Sequence, residues 1–246
     1  TQQNVSNNVL TVNATMTANS QEETQTGKAT TNSILPGWRT PAPLPSLQTI
    51  PTGSIDTSGT SIKRDVTYCR MDDVELKADL YFPKNATETK PLLIHIHGGG
   101  WTTGDKRGGD GFMKFDPLVQ AGFAVASINY RLAPEYLIAD MIADVRCAVR
   151  SFRAHAAEYN IDPDRIGVWG ESAGAQLAAL LGTMDDNFSE FDNAEYSSFS
   201  SRVQAVVDLF GPSDFITFYD DGRHISLGPT TESIFGNDEI SEPIYK

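Results

Sequence analysis

The sequence predicts an α/β fold: a mostly parallel sheet that opens with an antiparallel hairpin and lacks its C-terminal strands. Three observations carry that expectation. Two β-like runs, Ile62 to Tyr68 and Val74 to Phe82, flank the turn Met71-Asp72-Asp73 and read as a hairpin. After them come short, nearly continuous apolar runs such as Leu92 to His97 (LLIHIH). Strands covered on both faces have this composition, and parallel sheets are built from them. Finally, those runs alternate with segments of helical period, which implies right-handed crossovers between parallel strands.

Taken in order, residues 1 to about 35 are dominated by Thr, Asn, Gln and Ser, with little apolar periodicity. Such a stretch cannot bury a core. Pro36 to Pro51 is Pro-rich and suits a stiff connector. Residues 1–60 therefore read as an extended or disordered arm, and 61–246 as one domain. Within the domain, Pro83 to Lys90 is a surface loop, and Gly98-Gly99-Gly100-Trp101 follows the LLIHIH strand. Phe112 to Ala121 reads as a short helix and Phe123 to Tyr130 as the next strand. Tyr136 to Tyr159 reads as one long amphipathic helix with Ile138, Ile142, Val145, Val149 and Phe152 on a stripe. Ile166 to Trp169 is a strand, the segment to Leu181 an apolar helix, and Val203 to Phe210 a further buried strand.

The net charge of −13 over 246 residues argues against a nucleic acid or an anionic membrane as partner, because the summed field repels polyanions. No run of about 18 apolar residues occurs, so no membrane span is expected. The only cysteines are Cys69 and Cys147. Cys147 lies in a helical pattern and reads as a buried free thiol; a bridge to Cys69 is the less favoured alternative. Neither cysteine has metal-ligand spacing to a second Cys or His, so no metal and no cofactor are expected. Sequons occur at Asn4, Asn13, Asn85 and Asn187. The chain is expected to be secreted or extracytoplasmic.

The chemistry concentrates in Gly170-Glu171-Ser172-Ala173-Gly174, a G-x-S-x-G pentapeptide between a strand and a helix. In that context the serine sits on a sharp turn that needs small residues two before and two after it. Acyl transfer through Ser172 also needs donors for the developing oxyanion. The N–H of Ala173 is one, and those of Gly99 and Gly100 can face a ligand because no side chain blocks them. Trp101 reads as packing under the loop or as a substrate contact, and Glu171 is a second candidate for substrate contact.

His97-Gly98-Gly99-Gly100-Trp101, Tyr130-Arg131-Leu132-Ala133-Pro134-Glu135 and Gly170-Glu171-Ser172-Ala173-Gly174 stand in an order that resembles the α/β-hydrolase esterases of the hormone-sensitive-lipase type. The finer likeness is to bacterial feruloyl and acetylxylan esterases, over about Ser61 to Gly236. The resemblance implies Ser172 as nucleophile, oxyanion donors at Gly99, Gly100 and Ala173, and His97 as a support of the loop rather than the base. Arg131 and Glu135 are expected to brace their loop. It further implies a serine carboxylesterase acting on short acyl or aryl esters or on acylated carbohydrate. Against this stands a departure. The resemblance implies a triad Asp and His after Ser172, yet His224 alone follows it among histidines, in a polar loop. Asp208 and Asp214 are weak candidates for the acid. A truncated or cleaved esterase, partnered by a separate C-terminal fragment or a second copy, and a non-catalytic binding domain on the same fold remain as readings.

Overall fold

In the computed structural model, residues 59–71, 73–107, 115–186, 188, 195–215 and 234 are described. The chain divides into two units, Thr1–Pro45 and Ser46–Lys246. Residues 1–58 of the expected arm lie outside the described residues, as do His224 and most of the chain after residue 215; Thr60, expected at the end of the arm, opens the first strand.

The hairpin forms as expected. Strand β1 (Thr60–Met71) runs antiparallel to β2 (Val74–Pro83), with register shifts between Lys63 and Val66 and between Thr67 and Cys69. Asp65 lies in the first of these with φ 54°, and β1 is thereby bent at its charged stretch. Strands β3 (Lys90–Ile96), β4 (Ala124–Ile128), β5 (Ile161–Glu171) and β6 (Ala205–Leu209) complete a six-stranded sheet in the order β1-β2-β4-β3-β5-β6. Strand β2 pairs antiparallel with β4; the β4–β3, β3–β5 and β5–β6 pairs are all parallel.

Helix α1 (Asp116–Gln120) packs on one face of the sheet, where Val119, Val125 and Trp169 form a small apolar cluster. The main core joins the sheet to helices α2 (Ile138–Ala154) and α4 (Ala173–Thr183), through Ile94, Ile96, Ile128, Met141, Val145, Val149 and Leu177. At the start of α2, the carboxylate of Asp140 accepts the N–H of Leu137 at 2.9 Å, covering a donor the first turn leaves unpaired.

Three expectations need correction. Strand β6, expected to be buried, is exposed along Ala205 to Asp208, because it forms the edge of the sheet among the described residues. The helix from Tyr136 to Tyr159 is not continuous: α2 ends at Ala154, and α3 (Ala156–Tyr159) follows after His155. Both the N–H and Nδ1 of His155 bond the Ser151 carbonyl, which closes the first helix. Asn160, in the left-handed region at φ 51°, ends the second. Nor is Cys147 a free thiol. It is bridged to Cys69, tying α2 to β1 across 78 residues. Helical periodicity locates the buried face of α2, but not which strand lies against it.

Candidate active site

The parallel strands β3 and β5 lie side by side, with Ile96 opposite Gly170, so the segments that follow them emerge together. Beyond β5 the chain turns at Ser172, whose φ of 52° is costly for a residue with a Cβ, and enters α4 at Ala173. The two flanking glycines show why the turn demands them. A Cβ on Gly174 would lie 2.1 Å from the Ile96 carbonyl oxygen, and one on Gly170 would lie 2.4 Å from the backbone of Gly174. The turn is therefore pressed against the end of β3. Ser172 donates its N–H to the Leu209 carbonyl at 3.0 Å, which anchors the turn on β6 as well.

Gly98 to Gly100 start directly after β3. A Cβ on Gly98 would meet the Glu171 carbonyl oxygen at 2.8 Å and the Ser172 Cβ at 3.4 Å, so this loop lies against Ser172. Gly99 has φ 120°, and its carbonyl accepts the N–H groups of Thr102 and Thr103. Among the described residues, nothing accepts the N–H groups of Gly99, Gly100 or Ala173. Gly99 is exposed, Gly100 half-buried and Ala173 buried.

The loop is held from several sides. His97 donates from Nδ1 to the Gly98 carbonyl at 2.7 Å, and its ring stacks on Tyr130 with centroids 4.5 Å apart. Burial pushes the imidazole pKa down, which keeps the ring neutral and Nε2 unprotonated. The Tyr130 hydroxyl donates to the His97 carbonyl. Further along, Asn129 accepts the N–H of Lys106 and donates to Asp105. Arg107 reaches Asp79 at 2.8 Å, where Arg64 also bonds. Asp79 is fully buried. Burial pushes its carboxyl up, but bonds from Arg107, the Asp65 N–H and Arg64 outweigh that and lower its pKa to about 2.

The remaining site candidates fall as follows. Trp101 is packed rather than presented: its indole N–H donates to Gln176 on α4 and its ring lies 5.6 Å from Phe215. Glu171 turns its carboxylate inward, accepting the Gly98 N–H at 3.0 Å through Oε1 and facing His95 Nε2 at 2.9 Å through Oε2. Both oxygens are thus committed to the scaffold. Arg131 braces its loop as expected, bonding Asp144 on α2 through its side chain and its N–H. Glu135 does not share that task; it is exposed and makes no ion pair among the described residues, because Asp144 takes the guanidinium. Asp208 accepts the Gly211 N–H at 2.7 Å and shapes the turn after β6. None of the described histidines hydrogen-bonds Ser172.

Sequence reasoning missed His95, Ser127 and Asp79. The partners of His95 come from β4 and β5, far away in the chain, and no local pattern announces them.

A family model described as BD-FAE matches residues 78–244. The probable carboxylic ester hydrolase LipM of Mycobacterium tuberculosis is 39% identical over 149 residues, 59% of this chain and 33% of LipM. A probable isoprenylcysteine alpha-carbonyl methylesterase, ICMEL1 of Arabidopsis thaliana, is 34% identical over 161 residues, 65% of this chain and 33% of that protein. The chain thus spans about a third of the length of these curated relatives. Among solved structures, a truncated carbohydrate esterase from gut microbiota superposes with a TM-score of 0.63 at 30% identity, covering 72% of this chain and 65% of that one.

Proposed function

Because the chain belongs to the BD-FAE family, whose model spans 167 of its 246 residues (78–244), we propose that it is the Ser172-bearing part of a carboxylic-ester hydrolase. The substrates are short acyl or aryl esters, or acyl groups on carbohydrate. The carrying observation is the contact between elbow and loop. Ser172, strained at φ 52°, sits where a Cβ on Gly98 would come within 3.4 Å of its own Cβ. Ser172 Oγ attacks the ester carbonyl, and the carbonyl oxygen becomes an oxyanion. The N–H groups of Gly99, Gly100 and Ala173 stabilise it; one such donor is typically worth about 3–4 kcal/mol of transition-state stabilisation. Collapse of the oxyanion breaks the ester C–O bond; the alcohol departs with the proton that Ser172 has given up, and water then hydrolyses the acyl-enzyme, releasing the acid and restoring the Ser172 hydroxyl. The names of the esterase relatives and of the carbohydrate esterase support the reaction class and the carbohydrate option. The buried Cys69–Cys147 bridge supports an oxidising, extracytoplasmic location.

A second reading, a non-catalytic domain on the same fold, rests on the described histidines, none of which bonds Ser172. Hydrolysis of p-nitrophenyl acetate, with Ser172→Ala as the control, separates the two. The esterase reading expects turnover that drops at least about 1,000-fold in the variant. Equal background rates in both proteins would favour the binding domain.

A further inference from the structure

His95 lies on β3, fully buried, two residues before the loop-supporting His97. Its two ring nitrogens face groups that leave little choice of proton placement. Nδ1 is 2.9 Å from Ser127 Oγ. That hydroxyl has one proton, and it is given to the Lys106 carbonyl at 2.7 Å. Ser127 Oγ can therefore only accept from His95, so Nδ1 carries a hydrogen. Nε2 is 2.9 Å from Glu171 Oε2. Burial pushes the Glu171 carboxyl up, but the bond from His95 and the Gly98 N–H more than offset it and hold the group below the usual range. A carboxylate only accepts, so Nε2 carries a hydrogen too. The ring is also flanked by Trp169 at 5.0 Å and Phe115 at 5.3 Å between centroids, both tilted to it.

We propose that His95 is an imidazolium positioning residue: with the half-buried Glu171 it forms an ion pair that fixes the oxyanion loop to the nucleophile elbow. Glu171 precedes Ser172 directly, and its other oxygen holds the N–H of Gly98. One carboxylate therefore links three elements: the elbow it belongs to, the loop through Gly98, and β3 through His95. His95 is in turn fixed to β4 by Ser127, and Ser127 to the segment after the loop by Lys106. The other charged or titratable groups nearby are placed so as not to compete. His97 on the same strand is neutral, and the Lys106 ammonium is turned to Asp65 at 2.9 Å. Asp105 bonds Asn129. The consequence is that Gly99 and Gly100 keep their N–H groups aimed without touching the pair themselves. Losing the pair should loosen transition-state stabilisation while leaving substrate binding intact.

The role in positioning rests on the esterase reading; the charge state does not, and the experiment reads them apart. The full chain is labelled with ¹⁵N-histidine, and ring nitrogens are observed by long-range ¹H–¹⁵N correlation at neutral pH. One histidine is expected with both nitrogens protonated, and that signal disappears in His95→Gln. In Glu171→Gln the side-chain oxygen can still accept from Gly98 and the amide can donate to Nε2. One His95 nitrogen should then lose its proton while the fold, read by circular dichroism, is kept. In kinetics, Glu171→Ala is expected to lower kcat about 100-fold with KM nearly unchanged, and Glu171→Gln about 10-fold. His95→Gln, which still donates to Glu171, should retain more activity than His95→Leu. A singly protonated His95 in the folded wild-type chain would overturn the ion pair. A doubly protonated His95 in a chain without Ser172-dependent turnover would uphold the pair and count against the esterase reading instead. Variants that raise KM and leave kcat alone would overturn the positioning role.

Discussion

Strand β5 has a neighbour on each side, and the two are paired to it by equivalent parallel ladders. On one side Leu92 to Ile96 of β3 lie opposite Ile166 to Gly170; on the other Ala205 to Leu209 of β6 lie opposite Gly167 to Glu171. The surroundings differ completely. Ile94, His95 and Ile96 have no exposed surface, whereas Val207 is 52% exposed and Phe210, just past the strand, 79%. Among the described residues nothing pairs with the outer edge of β6. The β1 edge, by contrast, carries Lys63, Arg64 and Asp65 and is bent by irregular register, features that discourage further pairing. Hydrogen-bond ladders thus fix the geometry on both sides of β5, but the β3 side is covered from Ile94 to Ile96, whereas β6 meets α4 at Val206 and stands open at Val207. The composition of β6 is that of an interior strand.

The largest effect is expected where the covered side meets the elbow. Gly174→Ala places a methyl group 2.1 Å from the Ile96 oxygen and 2.5 Å from that of His97. It should cost about 3 kcal/mol or more in urea unfolding, and should suppress labelling of Ser172 by a fluorophosphonate. Wild-type stability in this variant would show that β3 yields as easily as β6.

An intermediate effect is expected in the brace behind the loop. The folded pKa of Asp79, about 2, lies below the ordinary value of 3.8. Its contribution is therefore present above about pH 4 and is lost as pH falls toward 2, amounting to about 2 kcal/mol. Acid unfolding of Asp79→Asn should show that part of the pH dependence removed, with the variant less stable at neutral pH and closer to wild type at low pH. Parallel acid curves for the two proteins would mean that Arg64 and Arg107 do not stabilise the carboxylate.

The smallest change in stability is expected at the open edge. Val207→Lys should alter unfolding by no more than about 0.5 kcal/mol, while reducing self-association in sedimentation velocity. A loss near that of Gly174→Ala would mean that residues outside the described set cover β6.

Much of this architecture was legible in the chain. The alternation of apolar runs with helical segments gave the sheet, and the spacing of Gly170, Ser172 and Gly174 located the tight turn between β5 and α4, because both depend on neighbours within a few residues. What escaped were relations between distant segments. Glu171 reads as an acidic residue beside a nucleophile; only β3 and the Gly98 loop, brought alongside, turn its carboxylate inward. The break at His155 depends on competition for one carbonyl at Ser151, which periodicity does not register. The Cys69–Cys147 pairing required knowing that β1 lies under α2.

That bridge has a consequence for how the chain responds to proteases. The segment between its cysteines, Arg70 to Arg146, contains β2, β3, the Gly98 to Gly100 loop and β4, so the strand that leads to this loop lies inside a covalent ring. A single cut anywhere in that ring leaves both products joined. A nicked molecule would migrate as one species until a reductant is added, and the two segments that meet at Ser172 would stay tethered to the same body.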